Sequence, residues 1–426
     1  MDRGRPPHDP APPPPSSRLD AVAMVVLFVL TCGVRLALIA AAPASWSGDE
    51  TDYVALGVRL DNGLGFSRVP TAECPIAVPR CEGQVDWRES TTAPGVPTAR
   101  RTPLLPAFVA LVLPLSGADP RALRGVLAVT ASLAVPALYL LVRWVGGSRG
   151  GGLLAAGALA ASTNGHRLAT LVYPEALAAF LLVMATLLTV RAESSRSAGL
   201  GSMAGLLLGL AVLARAFLLP AIAGPAIWLY LRRARRAALA LLATAALIPG
   251  LWIARNAVAV DAWALTTETD ALWQGNNRWA RGSWPGEWSE QERYLRERHP
   301  DFAGLGEGAR SRLYVRETVH DVLADPRRIL WLLPRKALVF FSPVSYLGLD
   351  VAYLAVLPLA ALGTWRLGGS RMRLLLLLVG WPILAVLAVC LLAFGDPRFR
   401  HPVDPFICVL AAFGTFACQP VGRDPP

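Results

Sequence analysis

DAVAMVVLFVLTCGVRLALIAAAPASWSGDETDY, Asp20 to Tyr53, opens with an apolar run that ends at Ala42 and closes on three carboxylates, Asp49, Glu50 and Asp52. At ~1.5 Å per residue the run is long enough to cross ~30 Å of hydrocarbon. It exceeds the ~7–15 apolar residues of a signal peptide and reads as an uncleaved first span. The Pro-rich stretch before it, RPPHDPAPPPPSSR, has too little apolar surface to pack a core and reads as a disordered tail over residues 1–18.

Composition extends that reading to the whole chain. Of 426 residues, 54% are hydrophobic and only 17% charged, with a mean hydropathy of +0.45. A soluble domain carries about a quarter charged residues. Further apolar runs lie near 122–145, 150–164, 174–191, 198–214, 216–231, 237–256, 346–366, 374–394 and 402–419. The expectation is an all-α polytopic membrane protein of about ten transmembrane helices, its membrane domain covering 19–419 with a short tail at 420–426. The net charge of +11 does not point to nucleic acid, because the Arg residues sit in short clusters between apolar runs.

Those clusters orient the chain. Arg3, Arg5 and Arg18, then Arg143 and Arg149, Arg191 and Arg196, Arg232 to Arg236, and Arg366 to Arg373 occupy every second connection. All fall on one side if both termini are cytoplasmic in a cell (plasma) membrane. Two long polar segments, 43–121 and 257–345, then lie outside, and any active site there is extracytoplasmic. Each holds an apolar piece too short to cross, Pro103 to Leu115 and Ile329 to Phe341, which reads as an interfacial helix. Cys74 and Cys81, in the first outer segment, are expected to form a short-loop disulfide, whereas Cys32, Cys390, Cys408 and Cys418 sit in apolar runs as small hydrophobes.

The stretch after span one reads as a helix start. Ser47 and Glu50 have the S-x-x-E spacing of a capping box, a structural use for Glu50. Asp49, Tyr53, Leu56 and Leu60 share a face at 3.6 residues per turn, so Asp49 heads an apolar stripe. A partly desolvated carboxylate has a raised pKa, which suits a general base. Between the last two runs, FGDPRFRHPVDP places Arg398, Arg400 and His401 on the same outer side. Arginine beside hydrocarbon is costly unless it meets an anion, and its fork matches phosphate. Arg35 within span one and Arg215 at a span end are further cations of this kind, each also readable as snorkelling or locally paired. A base and an anion clamp at one membrane face suit a lipid phosphate as leaving group. Trp263, Trp273, Trp279, Trp284 and Trp288 in the second outer segment read mostly as interfacial.

GDETDY (48–53), RRTPLLPAFVALVLPLSG (100–117), YPEALAAFLLVMATLL (173–188), WIARN (252–256), QGNNRWARG (274–282) and DPRFRHPVDP (396–405) follow one another in an order that resembles the GT-C membrane glycosyltransferases related to protein O-mannosyltransferases and lipid A aminoarabinose transferases, a family 39-like group. The resemblance implies transfer of a sugar from a polyprenyl-phosphate donor to a hydroxyl acceptor, with inversion, at the outer face of the bilayer. It makes Asp49 the acceptor-activating carboxylate, with Glu50 its neighbour, so that Asp49 and Glu50 are the catalytic candidates. Asp52, Tyr53, Arg101, Glu175, Arg255, Asn276, Arg398, Arg400 and His401 are then the substrate-binding candidates, Arg400 ahead of Arg398 as the phosphate arginine. The resemblance gives no certain cofactor, and Asp49 and Glu175 leave room for a divalent cation. The loop with Cys74 and Cys81 departs from the family pattern. A transporter or flippase of a lipid-linked sugar or small molecule is the alternative reading.

Overall fold

The computed structural model describes residues 17–46, 48–69, 92–116, 119–284, 289–345, 348–368 and 373–416. Ser47, Cys74, Cys81, Trp288 and Cys418 lie outside them, and so do most of the expected tails and the disulfide. The first half contains α1 (Arg18–Ala41), α2 (Glu50–Asp61), β1 (Ser67–Arg68), β2 (Val96–Pro97), α3 (Leu104–Ser116), α4 (Pro120–Ser132), α5 (Ala134–Trp144), α6 (Arg149–Ala161), α7 (Thr163–Ala169), α8 (Pro174–Ser195), α9 (Ala198–Ala214) and α10 (Ala223–Leu231). The second contains α11 (Arg235–Val260), α12 (Asp270–Gln274), α13 (Ser289–Arg298), α14 (Glu307–Ala324), α15 (Pro326–Phe340), β3 (Val344–Ser345), β4 (Gly348–Leu349), α16 (Val351–Gly368), α17 (Leu376–Leu392), α18 (Pro397–Arg400) and α19 (Asp404–Thr415). The strands form two isolated antiparallel ribbons, so the fold is all-α in substance.

Among the described residues, six helical stretches are long and apolar enough to cross a membrane: Arg18–Ala41, Pro120–Trp144, Pro174–Ser195, Arg235–Val260, Val351–Gly368 and Arg373–Leu392. The chain is a polytopic membrane protein. Expected spans at 198–214 and 216–231 are helical but shorter, as is the piece at Leu104–Ser116. Helix α8 is buried nearly all round and α9 packs beside it, as an interior helix of a bundle must. The α9–α11 seam is made by small residues: a Cβ on Gly201 would lie 2.4 Å from the Ala237 carbonyl oxygen, so only glycine allows this approach.

One end of the bundle is pinned by Asp20 at the start of α1, which accepts from the Tyr139 hydroxyl and from Arg149 Nε at 3.0 Å. The opposite end carries the remaining polar structure. A separate small core lies there, formed by Trp273, Leu295, Phe302, Leu313 and Tyr314. Trp273 is fully buried in that core against Tyr294 and Tyr314, and Trp279 packs on it, which corrects the interfacial reading for those two. Trp263 and Trp284 are exposed.

Candidate active site

Six segments meet at that polar end: the α1–α2 connection, the segment before α3, the start of α8, the end of α9, the segment before α12 and the α17–α19 connection. Asp49 immediately precedes α2 and makes no side-chain cap bond, so its carboxylate is spent elsewhere. Oδ2 accepts from Arg398 Nη1 at 2.7 Å and Oδ1 from Arg101 Nη2 at 3.2 Å. The side chain remains 31% exposed, enough for a substrate to reach.

Arg101 is shared by three carboxylates. Besides Asp49, Nη2 donates to Asp52 Oδ2 at 2.9 Å and Nη1 to Glu268 Oε1 at 2.6 Å. The guanidinium lies over the Tyr53 ring, 5.3 Å from its centroid, so Tyr53 is a buried support beneath the arginine. Asp52 is buried; Glu268 stands partly open beside Asp49.

Glu175 anchors the second half. Pro174 starts α8 with its φ preset and no N–H to leave unpaired, placing Glu175 in the first turn. Its Oε1 accepts from both Arg215, which caps the end of α9, and Arg398 Nε. Its Oε2 is buried without a hydrogen bond among the described residues. Arg398 also stacks on Tyr173, 4.0 Å from ring centre to Cζ. One guanidinium therefore joins the two carboxylates.

The local charges oppose the expected raised pKa. Burial pushes the Asp49 carboxyl up, but Arg101 and Arg398 outweigh it and hold the group below the usual carboxylate range. Glu268 moves the other way: burial raises it and Arg101 only partly compensates.

Several expected site residues are engaged elsewhere. Glu50 is fully buried, taking Arg124 Nε at 2.9 Å, Arg124 Nη2 at 2.6 Å and the Val172 N–H at 2.9 Å. It ties α2 to α4 and to the start of α8; Ser47, the other half of the expected capping box, lies outside the described residues. Arg400 is fully buried on Asp404 at 2.7 Å and on the carbonyls of Phe340 and Ser342, facing Tyr353, so the arginine at the Asp49 carboxylate is Arg398. His401 is buried beside Asp404. Arg255 donates to the carbonyls of Thr98 and Phe66, fastening α11 to the β1–β2 ribbon. Asn276 is buried with both amide atoms bonded within the protein.

Asp49 and Glu175 do not form a cation site as arranged. Arg398 bridges them, and among the described residues no group of three His, Cys, Asp or Glu side chains is placed to hold a metal ion. The sequence reading missed Glu268; its only local signal is a carboxylate among threonines, TTETD, opposite the Arg100–Arg101 pair.

The stretch that carries Arg101, Glu175, Arg215 and Arg255 also carries a recognisable signature. Residues 100–258 match the family described as dolichyl-phosphate-mannose-protein mannosyltransferase. Over those residues, a little over a third of the chain, the protein is similar to that family. Among solved structures, it is similar to the archaeal oligosaccharyltransferase AglB from Archaeoglobus fulgidus in complex with an inhibitory peptide and a dolichol-phosphate, at 15% identity and a TM-score of 0.46 over 93% of this chain and 50% of that one. The apo form of the Archaeoglobus fulgidus oligosaccharyltransferase gives 16% identity and a TM-score of 0.49 over 94% and 50%. The chain thus spans about half the length of these structures. No curated protein matches it.

Proposed function

We propose that this protein is a membrane glycosyltransferase that moves a sugar from a polyprenyl-phosphate-linked donor to a hydroxyl acceptor at the extracytoplasmic face of the cell membrane. The observation that carries the reading is the Asp49–Arg398–Glu175–Arg215 array, a part-exposed carboxylate joined through one arginine to a buried acid and a second arginine. The family match over 100–258 supports the reaction class. The arginine clusters in alternate connections support about ten spans and cytoplasmic termini.

In this mechanism the donor phosphate competes with the two carboxylates for Arg398. Drawing the guanidinium onto phosphate loosens its hold on Asp49, whose basicity then rises when a base is needed. Asp49 removes the proton of the acceptor hydroxyl as that oxygen bonds the anomeric carbon from the face opposite the phosphate. The bond from the anomeric carbon to the phosphate oxygen breaks, and its electron pair leaves with the polyprenyl phosphate. Arg398 and Arg215 stabilise the charge that develops there. Inversion follows from single displacement.

The test is consumption of a panel of polyprenyl-phosphate sugars by purified protein in lipid, wild type against Asp49→Asn at matched folded yield. One donor consumed by the wild type and spared by the variant is expected. Equal consumption by both would overturn the role of Asp49. Donor translocated across the bilayer without cleavage would replace transfer by transport.

A further inference from the structure

Lys336 on α15 is fully buried, although lysine is almost never fully buried unless paired. Among the described residues it forms no ion pair. Its Nζ donates instead to Asn276 Oδ1 at 2.8 Å and to the Leu391 carbonyl at 2.9 Å, and burial pushes the ammonium down to about 8. Asn276 Nδ2 in turn donates to the carbonyls of Leu272 at 2.7 Å and Leu392 at 2.6 Å. Leu391 and Leu392 end α17, where helix carbonyls have no intrahelical partner and a cation is favoured.

The contact continues along the chain. A Cβ on Gly275 would lie 1.8 Å from the Ala393 carbonyl oxygen, and one on Gly395 would lie 2.3 Å from the Lys336 carbonyl oxygen. The Gly395 N–H donates to the Gly282 carbonyl at 2.9 Å. Asp396 then caps α18 by accepting from Arg398 N at 2.8 Å. The backbone is held nearly continuously from Leu391 to the residue that reaches Asp49.

We propose that Lys336 and Asn276 form a buried latch that fixes the 391–396 backbone and thereby aims Arg398 at Asp49 and Glu175. Lys336 is a positioning residue: it touches no substrate and acts through Arg398. The catalytic consequence rests on the glycosyltransferase reading; the latch itself does not. An apolar side chain in its place leaves Asn276 Oδ1 and the Leu391 carbonyl unsatisfied in a buried setting, which loosens the segment.

Backbone amide hydrogen exchange over residues 391–400, on the full-length protein in lipid without substrate, decides the structural part. Lys336→Met is expected to speed exchange in that segment about tenfold, with the middle of α17 unchanged. Asn276→Asp, which keeps the acceptor for Lys336 but loses the donor to Leu392, is expected to give a smaller increase and serves if Lys336→Met does not fold. Wild-type exchange in both variants, or loosening spread evenly over the protein, overturns the latch. Donor kinetics decide the rest: Lys336→Met is expected to raise KM for the donor more than it lowers kcat. It is also expected to add little further loss in an Arg398→Lys background. Fully additive losses overturn action through Arg398. A wild type that consumes no donor counts against the transferase reading alone, because the exchange result stands without turnover.

Discussion

Arg398 places Nη1 2.7 Å from Asp49 Oδ2 while its Nε bonds Glu175, so the exposed carboxylate and the buried one are held by a single guanidinium. An arginine shared in this way is poised to exchange partners. In the proposed transfer, a phosphate entering beside it would compete directly with Asp49 and so couple arrival of the donor to release of the base.

Asp49→Asn keeps shape and hydrogen-bonding capacity but removes the site that takes a proton. Transfer is expected to fall ~10²–10⁴-fold, the usual contribution of general base catalysis, with folded yield unchanged. Donor consumption and size-exclusion behaviour, measured together, check this. A variant that retains wild-type turnover would make Asp49 a spectator.

Glu50→Gln tests the neighbouring carboxylate and has the opposite expectation. The Glu50–Arg124 pair is buried on both sides, and breaking such a pair leaves an uncompensated charge at a cost of about 3–5 kcal/mol. A clear loss of thermal stability in detergent or lipid is expected. Unchanged stability with lost turnover would restore Glu50 to catalysis, where the sequence reading had put it.

These neighbours show what the sequence carried. The apolar runs gave the bundle, and three of the six ordered motifs, at 100–117, 173–188 and 252–256, fall within the family match over 100–258. Glu50 pairs with Arg124, seventy-four positions away, a partner that no local spacing announces. Arg398 and Arg400 stand two residues apart in the one-turn helix α18 and therefore point to different sides. Which of the two faces Asp49 depends on where Asp404, Phe340 and Glu175 sit. Glu268 was invisible for the same reason: its partner Arg101 is far away in sequence, and no period or spacing joins them.

The charges on Asp49 determine how activity and stability respond to acid. Its folded pKa is depressed, so the ion pairs contribute stability that is present above the ordinary carboxylate pKa and lost as pH falls through the folded value. The same depression keeps the base ionised in free enzyme. A kcat/KM profile with no acid limb from Asp49 between about pH 7 and 5 is expected. Melting temperatures below about pH 5 are expected to fall less steeply in Asp49→Asn than in the wild type. A limb centred near pH 6 that disappears in that variant would show the base to have a raised pKa, as its position in sequence first suggested.

Replacing the two arginines separately distinguishes the anion clamp from the scaffold. Arg398→Gln removes the cation between Asp49 and Glu175 and leaves a cluster already lined by the aromatic ring of Tyr173. Loss of one charge-assisted contact to phosphate is worth about 1.5–3 kcal/mol, so kcat/KM for the donor is expected to drop roughly ten- to a hundredfold while the protein folds. The acid limb should also move upward toward the ordinary carboxylate range, because one of the guanidiniums holding Asp49 down is gone. Arg400→Gln leaves Asp404 buried without its 2.7 Å partner and two backbone carbonyls without their donor. Its expected signature is instability of about 3–5 kcal/mol, with ordinary donor KM in whatever fraction folds. Donor kinetics normalised to folded protein, read beside thermal melts, separate the two. If Arg400→Gln folds normally and loses donor affinity while Arg398→Gln does not, the phosphate contact passes to Arg400 and the bridge to Asp49 is structural.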